Sequence, residues 1–599
     1  MPSTHGMKRI PLRLSLTLLG FALLQSQAAE IHVAPGGNDT APGTVAQPVG
    51  SLARAQKLIR EQSASADAER TVVLHNGTWR ITEPLKLGPE DSGVTWQAAE
   101  PGKATISGGR ELKGWKLHGD GSWSLTVPEV ATGKFFFREL FVNGRRATRA
   151  RTPNEGYFRV EKSGADRRTS FTFKPGEVKS AVDLDQVELG FLHDWSITRV
   201  GVKAVDQTTS TLTTSDNIGG RAAQFAIDHF EPHPRFFLEN SASYLDAPGE
   251  WFLDRKTGVL SYRPLPGESP GSTTAVVPIA TQLISVQGEP GKPVKGLRFD
   301  GINFEHCAWQ IPARGYAEGQ ATYHESRAAE GGDLRGRVPA AISFELAEHC
   351  SVSGARISQL GGGGISFGSQ TKGCVLDDSV VTDISGNGIF IGEDGSRTVE
   401  GRTWWQSKPA EAATGNRVEN CLIERCGRQF FGAVGIWVGF TQGTVVRQNE
   451  VRDLPYTGVS LGWMWNPTPT PNGNNVVEGN HIHHVMQVLS DGGGIYTLGR
   501  QPGTVLRGNR IHHVPVNLGN AESNGMFIDE GSTDLVIEDN VIYNLDRSPL
   551  RFHRAGVNQV RNNLLVVKDG IPHIRYNSTP EPNIQQSGNV IAKESERQP

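Results

Sequence analysis

The feature that most constrains this chain is a repeat in its C-terminal half. Six segments align on one polar residue: Val375-Leu376-Asp377-Asp378-Ser379-Val380, Arg417-Val418-Glu419-Asn420-Cys421-Leu422, Val446-Arg447-Gln448-Asn449-Glu450-Val451, Val477-Glu478-Gly479-Asn480-His481-Ile482, Leu506-Arg507-Gly508-Asn509-Arg510-Ile511 and Ile537-Glu538-Asp539-Asn540-Val541-Ile542. The pattern is an apolar residue, two polar or small ones, Asn, any residue, then Ile, Val or Leu. Asp378 replaces the Asn in the first segment, and Arg417 breaks the apolar start of the second. The steps between the aligned residues are 42, 29, 31, 29 and 31. Three short strands with their turns need roughly twenty-odd residues per coil, so steps of this size describe a solenoid with loops. An Asn at a fixed turn can bond the Asn of the next coil and satisfy backbone groups that would otherwise be buried unpaired. A leucine-rich repeat also carries such an Asn, but its Leu consensus is absent.

A second element recurs once per coil as a short strand opened by glycine: Gly364-Ile365-Ser366-Phe367, Gly388-Ile389-Phe390-Ile391, Gly435-Ile436-Trp437-Val438, Gly458-Val459-Ser460-Leu461, Gly494-Ile495-Tyr496-Thr497 and Gly525-Met526-Phe527-Ile528. In a parallel stack their outward residues form one surface. The expected fold is all-β: a right-handed parallel β-helix with an inserted antiparallel β domain. Residues 30–110 are read as a cap helix and first coils, with Ser51 capping a helix from Leu52 to about Gln62. Residues 111–274 are read as a β-sandwich-like insertion, because longer alternating strands are punctuated there by Asp120-Gly121, Asn143-Gly144 and Thr257-Gly258. Residues 275–599 are read as the main solenoid with the active-site cleft.

Lys8, Arg9 and Arg13, the apolar run Leu14 to Leu24 and the small residues Ser26 to Ala29 read as a signal peptide over residues 1–29. A periplasmic or extracellular protein is expected, with no membrane span. The net charge of −3 and the lack of a basic block argue against nucleic acid; oligomeric state is left open. Five cysteines, an odd number in a long chain, read as buried core thiols rather than a disulfide framework. No cofactor and no metal are expected. His483-His484 and His512-His513 occupy one repeat position and read as surface or turn stacks, because adjacent strand residues point to opposite faces.

The strongest chemical constellation is Asp491-Gly492-Gly493-Gly494, leading into one strand, and Asp529-Glu530-Gly531, closing the strand of the next coil. Stacked strands lie about 5 Å apart, so the acids approach each other if the glycine turn folds back. Glycosidic cleavage uses two carboxyl groups: one protonates the leaving oxygen, and the other attacks the anomeric carbon or activates water. Asp491 and Asp529 are the candidates, with Glu530 a rival for the second role. Trp437, Trp463, Trp465 and Tyr496 offer stacking surfaces for sugar; Arg551 and His553, with Arg554, offer hydrogen bonds in the following coil.

Several motifs resemble a known family. They are His32-Val33-Ala34-Pro35-Gly36-Gly37-Asn38-Asp39 with Gln47-Pro48, Phe141-Val142-Asn143-Gly144-Arg145-Arg146, Asp491 to Gly499 and Phe527 to Gly531. Together they resemble glycoside hydrolase family 141. The resemblance implies a right-handed β-helix with an extra β domain, activities such as α-L-fucosidase or xylanase, and two catalytic aspartates at the positions of Asp491 and Asp529. The leading expectation is therefore a secreted glycoside hydrolase acting on plant or algal polysaccharide or its oligosaccharides. A polysaccharide lyase or epimerase, with Arg551 or His553 as base, and a non-catalytic carbohydrate-binding β-helix protein are the alternatives.

Overall fold

The computed structural model describes residues 29–62, 69–229, 231–327 and 335–596; the signal-peptide reading of residues 1–29 lies outside them except for Ala29, which begins the first strand. Three parallel sheets of 13, 12 and 11 strands wrap one axis. Most coils contribute one short strand to each sheet. One late coil runs Val505–Arg507, Arg510–Val514 and Ser523–Ile528. The pairing is in register, as in Val477↔Leu506↔Ile537↔Val560 on the first sheet and Ile482↔Ile511↔Ile542↔Leu565 on the second. These side chains are essentially fully buried, so each coil stacks its apolar residues on identical positions above and below. The five cysteines are free and buried in the same interior.

The helix Leu52–Glu61 closes the first coil. Ser51 caps it through an Oγ bond from the Arg54 amide at 3.1 Å, and Leu52, Ala55 and Ile59 face the solenoid. No helix among the described residues is long and apolar enough to cross a membrane.

The asparagine ladder is real, but its rungs differ from the sequence alignment. Asn449, Asn480, Asn509, Asn540, Asn563 and Asn589 form it, each Nδ2 donating to the next Oδ1 at 2.9–3.0 Å. Each Oδ1 also takes the backbone N–H of the preceding rung, and each Nδ2 bonds a carbonyl one coil back. Asn420 pairs not with Asn449 but with the position of Gln448, since Val418 is opposite Val446. Cys421 occupies the rung there, its amide bonded by Asn449 Oδ1 at 2.9 Å. Asp378 and Asn420 instead sit one residue earlier, at a corner where φ is +48° and +55°. Asn and Asp tolerate that left-handed conformation, and Gly479 and Gly508 fill the same corner in later coils. A shared preference for tight turns thus placed two residue types in adjacent positions.

The chain leaves the solenoid after Gly109–Leu112 and returns at Ala275–Pro278, two strands that pair antiparallel. Between them lie antiparallel sheets with their own apolar cores, one around Phe171, Phe191 and Phe236 and another around Trp123, Trp251 and Tyr262. The strands Glu250–Leu253 and Val259–Tyr262 pair as a hairpin across the Thr257-Gly258 turn expected from the sequence. A second excursion was not legible. Tyr316–Gln320, Tyr323–Glu325 and Arg335–Arg337, within the segment read as solenoid, leave it and extend the largest antiparallel sheet, Tyr316 and Ala317 pairing with Arg199 and Thr198.

Asn509→Ala is expected to leave the Asn480 backbone N–H buried without its acceptor and to lower stability by about 1–3 kcal/mol. Asn420→Gly, at an exposed left-handed corner, is expected to be nearly neutral. Urea unfolding midpoints of the two variants check this; equal losses would contradict the ladder assignment.

Candidate active site

The third sheet supplies the floor of a cleft of about 800 Å³. Its late strands Gly492–Thr497, Ser523–Ile528 and Leu550–His553 align Ile495↔Met526↔Leu550 inward and Tyr496↔Phe527↔Arg551 outward. The outward row crosses three coils, and the acids flank it. Asp491 stands before the first strand with φ +59°, and Asp529 follows the second. Gly492 and Gly493 make the turn possible: a Cβ on Gly492 would lie 2.5 Å from Thr457 Oγ1, and one on Gly493 2.8 Å from the Asn524 carbonyl.

The two carboxylates have different environments. Asp491 Oδ1 accepts from Arg551 Nη1 at 3.1 Å, and its carbonyl accepts from Tyr456 Oη at 2.9 Å. Its side chain keeps 27 % exposure, toward the cleft. Burial pushes its pKa up to about 6; Arg551 opposes the rise and the nearby Asp529 adds to it. Asp529 is more enclosed, and both its oxygens are engaged. Tyr496 Oη donates to Oδ2 at 2.6 Å, and His553 Nδ1 lies 2.7 Å from Oδ1. That geometry makes Asp529 an acceptor twice over. Burial and the Asp529 charge hold the Tyr496 hydroxyl far above the ordinary tyrosine range, so it remains a donor. Glu530 also lines the cleft, but its Oε1 is tied to Arg554. Arg551 lies over the Phe527 ring, 4.1 Å from its centroid.

Among the expected sugar-binding aromatics, Trp465 and Tyr496 line the cleft, and Trp465 is 39 % exposed. Trp437 and Trp463 do not reach it, which corrects the sequence reading. Both are buried, at 0 % and 2 % exposure. They pack beneath Tyr323 at 5.3 and 5.6 Å between ring centroids, and Trp463 backs Trp465 edge-on at 5.5 Å. Trp437 points outward on the third sheet and Trp463 follows the next strand by two residues; the unforeseen excursion covers both. The Glu393-Asp394 acids lie outside the cleft lining and are paired with Arg397 and Arg335.

The opposite wall of the cleft comes from the insertion and the excursion: Trp195, Phe225, Glu318, Gln320, Tyr323 and His324. Asp194 proves to be the anchor. Fully buried, its carbonyl accepts from the Ser490 amide at 2.6 Å, and its Oδ1 accepts from Ser490 Oγ and the Asn520 and Ala521 amides at 2.6–3.1 Å. It therefore fixes the residue before Asp491 and the loop before the next strand. Glu318 ties three segments together, accepting from the amides of Ile197, Thr322 and Gly432 at 2.9–3.0 Å; burial pushes its pKa up to about 7. Gln320 reaches Tyr456 Oη at 3.0 Å and so extends the support under Asp491. An acid within an apolar and aromatic run, Phe191 to Ile197, was the available signal for Asp194; Glu318, beside Gly319 and Gln320, had none.

Two family models match the chain: the GH141 insertion domain over residues 121–265 and the right-handed beta helix region over residues 340–513. No curated protein matches it. Among solved structures, one described as a glycoside hydrolase is similar at 24 % identity and a TM-score of 0.75, covering 94 % of this chain and 96 % of that one. A complex of XylC with xylose is similar at 14 % identity and a TM-score of 0.51, covering 94 % and 82 %. The A-module of the Azotobacter vinelandii mannuronan C-5 epimerase AlgE4 is more distant, at 11 % identity and a TM-score of 0.39 over 87 % of each chain. The chain is thus a glycoside-hydrolase-like right-handed parallel β-helix built around the GH141 insertion domain, the family its motifs resemble.

Proposed function

We propose that this protein is an exported glycoside hydrolase that cleaves plant or algal polysaccharide or oligosaccharide through Asp491 and Asp529. One observation carries the reading: two carboxyl groups with unlike surroundings face one aromatic-walled cleft, in a chain that carries the GH141 insertion domain. Asp491, its pKa raised by burial to about 6, holds a proton in mildly acidic solution and donates it to the leaving glycosidic oxygen. Asp529, steadied by Tyr496 and His553, acts on the opposite side as nucleophile or as base toward water. Tyr496, Arg551 and His553 position the acids and reach sugar hydroxyls. Trp465 stacks on an apolar sugar face. The elimination chemistry of a lyase or epimerase is less well served, because Arg551 and His553 are each bonded to a carboxylate. α-L-fucosides and xylan are the substrate classes to test first, with reducing ends and ultraviolet absorbance read together. Reducing ends without absorbance are expected; absorbance would indicate elimination. Sugar binding without turnover, untouched by changes at the two aspartates, would indicate a binding protein. The same reading makes residues 1–29 a signal peptide, removed as the protein reaches the periplasm or medium.

Asp491→Asn and Asp529→Asn are each expected to fold normally and lose about 100- to 10,000-fold in kcat. Wild-type turnover in either variant would remove that residue from the mechanism. The pH profile separates their roles. Above about pH 6 Asp491 is ionised and cannot donate, so kcat/KM is expected to fall as pH rises through that value. Arg551→Gln removes the cation that lowers this pKa and should move the falling limb to higher pH. A rate that instead rises through pH 6 would make Asp491 the base. Trp465→Ala is expected to raise KM roughly tenfold with kcat little changed, since stacking contributes about 0.5–1.5 kcal/mol; an unchanged KM would place Trp465 outside the substrate path.

A further inference from the structure

The second sheet carries a cluster of imidazoles away from the cleft. Glu450 lies opposite His481, and His483 opposite His512, on strands of three successive coils. His481 and His483 are two residues apart on one strand and share a face, a spacing that the adjacent pairs His483-His484 and His512-His513 conceal. We propose that Glu450, His481 and His483, completed by His512, form a binding site for a divalent transition-metal ion of the zinc class that staples these coils together.

The donors are already gathered. Glu450, His481 and His483 each offer a ligand atom, all within 4.8 Å of one another. Ligand atoms on one tetrahedral zinc lie about 3.4 Å apart, so side-chain shifts on the order of an ångström close the set. His483 Nε2 is 3.3 Å from Glu450 Oε1, and His481 Nε2 is 2.7 Å from His512 Nε2. That last spacing is one hydrogen bond, and the two rings part by less than an ångström to turn both nitrogens onto one cation. Imidazole with one carboxylate suits zinc, copper(II) or nickel rather than calcium or magnesium. His484 and His513 supply the outer support. Their φ values of +50° and +55° turn each ring back onto its neighbour: His484 meets His483 Nδ1 at 2.7 Å, and His513 contacts His512. A ligand imidazole held through its second nitrogen is the usual outer arrangement of metal sites. This geometry also corrects the expectation that adjacent histidines must diverge: the strand ends at His483, and the corner folds the next residue back. Arg452 is the competitor, with Nε 3.1 Å from Glu450 Oε1, and must swing away for the carboxylate to bind.

The test is calorimetric titration of the untagged, chelator-treated full-length protein with zinc chloride, alongside thermal unfolding with and without zinc. One zinc per chain and a higher unfolding temperature are expected. His481→Ala and His483→Ala should each weaken binding about tenfold or more and abolish the thermal shift. Glu450→Gln, at a half-exposed side chain that the fold does not need, should weaken binding and keeps the test valid if a histidine variant fails to fold. Absence of saturable binding to the wild type, or binding unchanged in Glu450→Gln and the histidine variants, overturns the proposal.

Discussion

Everything in the cleft depends on the register of the parallel stack. Strand side chains alternate between faces, so a slip of one residue between coils would turn Tyr496, Phe527 and Arg551 inward and put Ile495, Met526 and Leu550 outside. The interior fixes this register with stacked aliphatic residues, and the asparagine ladder fixes it again at the turn. A rung bonded to the wrong neighbour would leave backbone N–H groups buried and unpaired. Register converts a one-dimensional repeat into a site: Tyr496 from one coil and His553 from two coils later meet Asp529 between them, while Arg551 reaches back to Asp491.

The solenoid alone provides only an open surface. The insertion makes it a cleft, and its docking is polar and specific. Asp194 and Glu318 are fully buried acids whose oxygens accept backbone N–H groups from the facing segments. Arg146 adds a bond to Asp383 at 2.7 Å, and Arg235 one to the Val488 carbonyl at 2.7 Å. Buried acids matched to amides demand one alignment of wall and floor. Because Asp194 holds Ser490, that alignment is passed directly to Asp491.

Much of this was legible in the sequence. A period near thirty residues, a recurrent Asn and glycine-led strands identify a solenoid because its physics is local and repeated. Asp491 and Asp529 were visible because each breaks the pattern of its own repeat. Elements that depend on distant contact were not legible. Nothing local in residues 316–337 distinguishes a strand that joins the insertion from a solenoid loop, and that single omission made Trp437 and Trp463 look exposed. The ladder slipped by one residue at Asn420 because the corner and the rung both favour Asn, for conformational reasons in one case and hydrogen bonding in the other. Glu530, the rival second acid, lines the same cleft, with its Oε1 paired to Arg554.

The central claim is that the cleft breaks a glycosidic bond with water. The most direct measurement is mass spectrometry of oligosaccharide products formed in ¹⁸O-water. The account predicts one labelled oxygen at each new reducing end and no unsaturated sugar. Unlabelled products carrying a double bond would show elimination and contradict it.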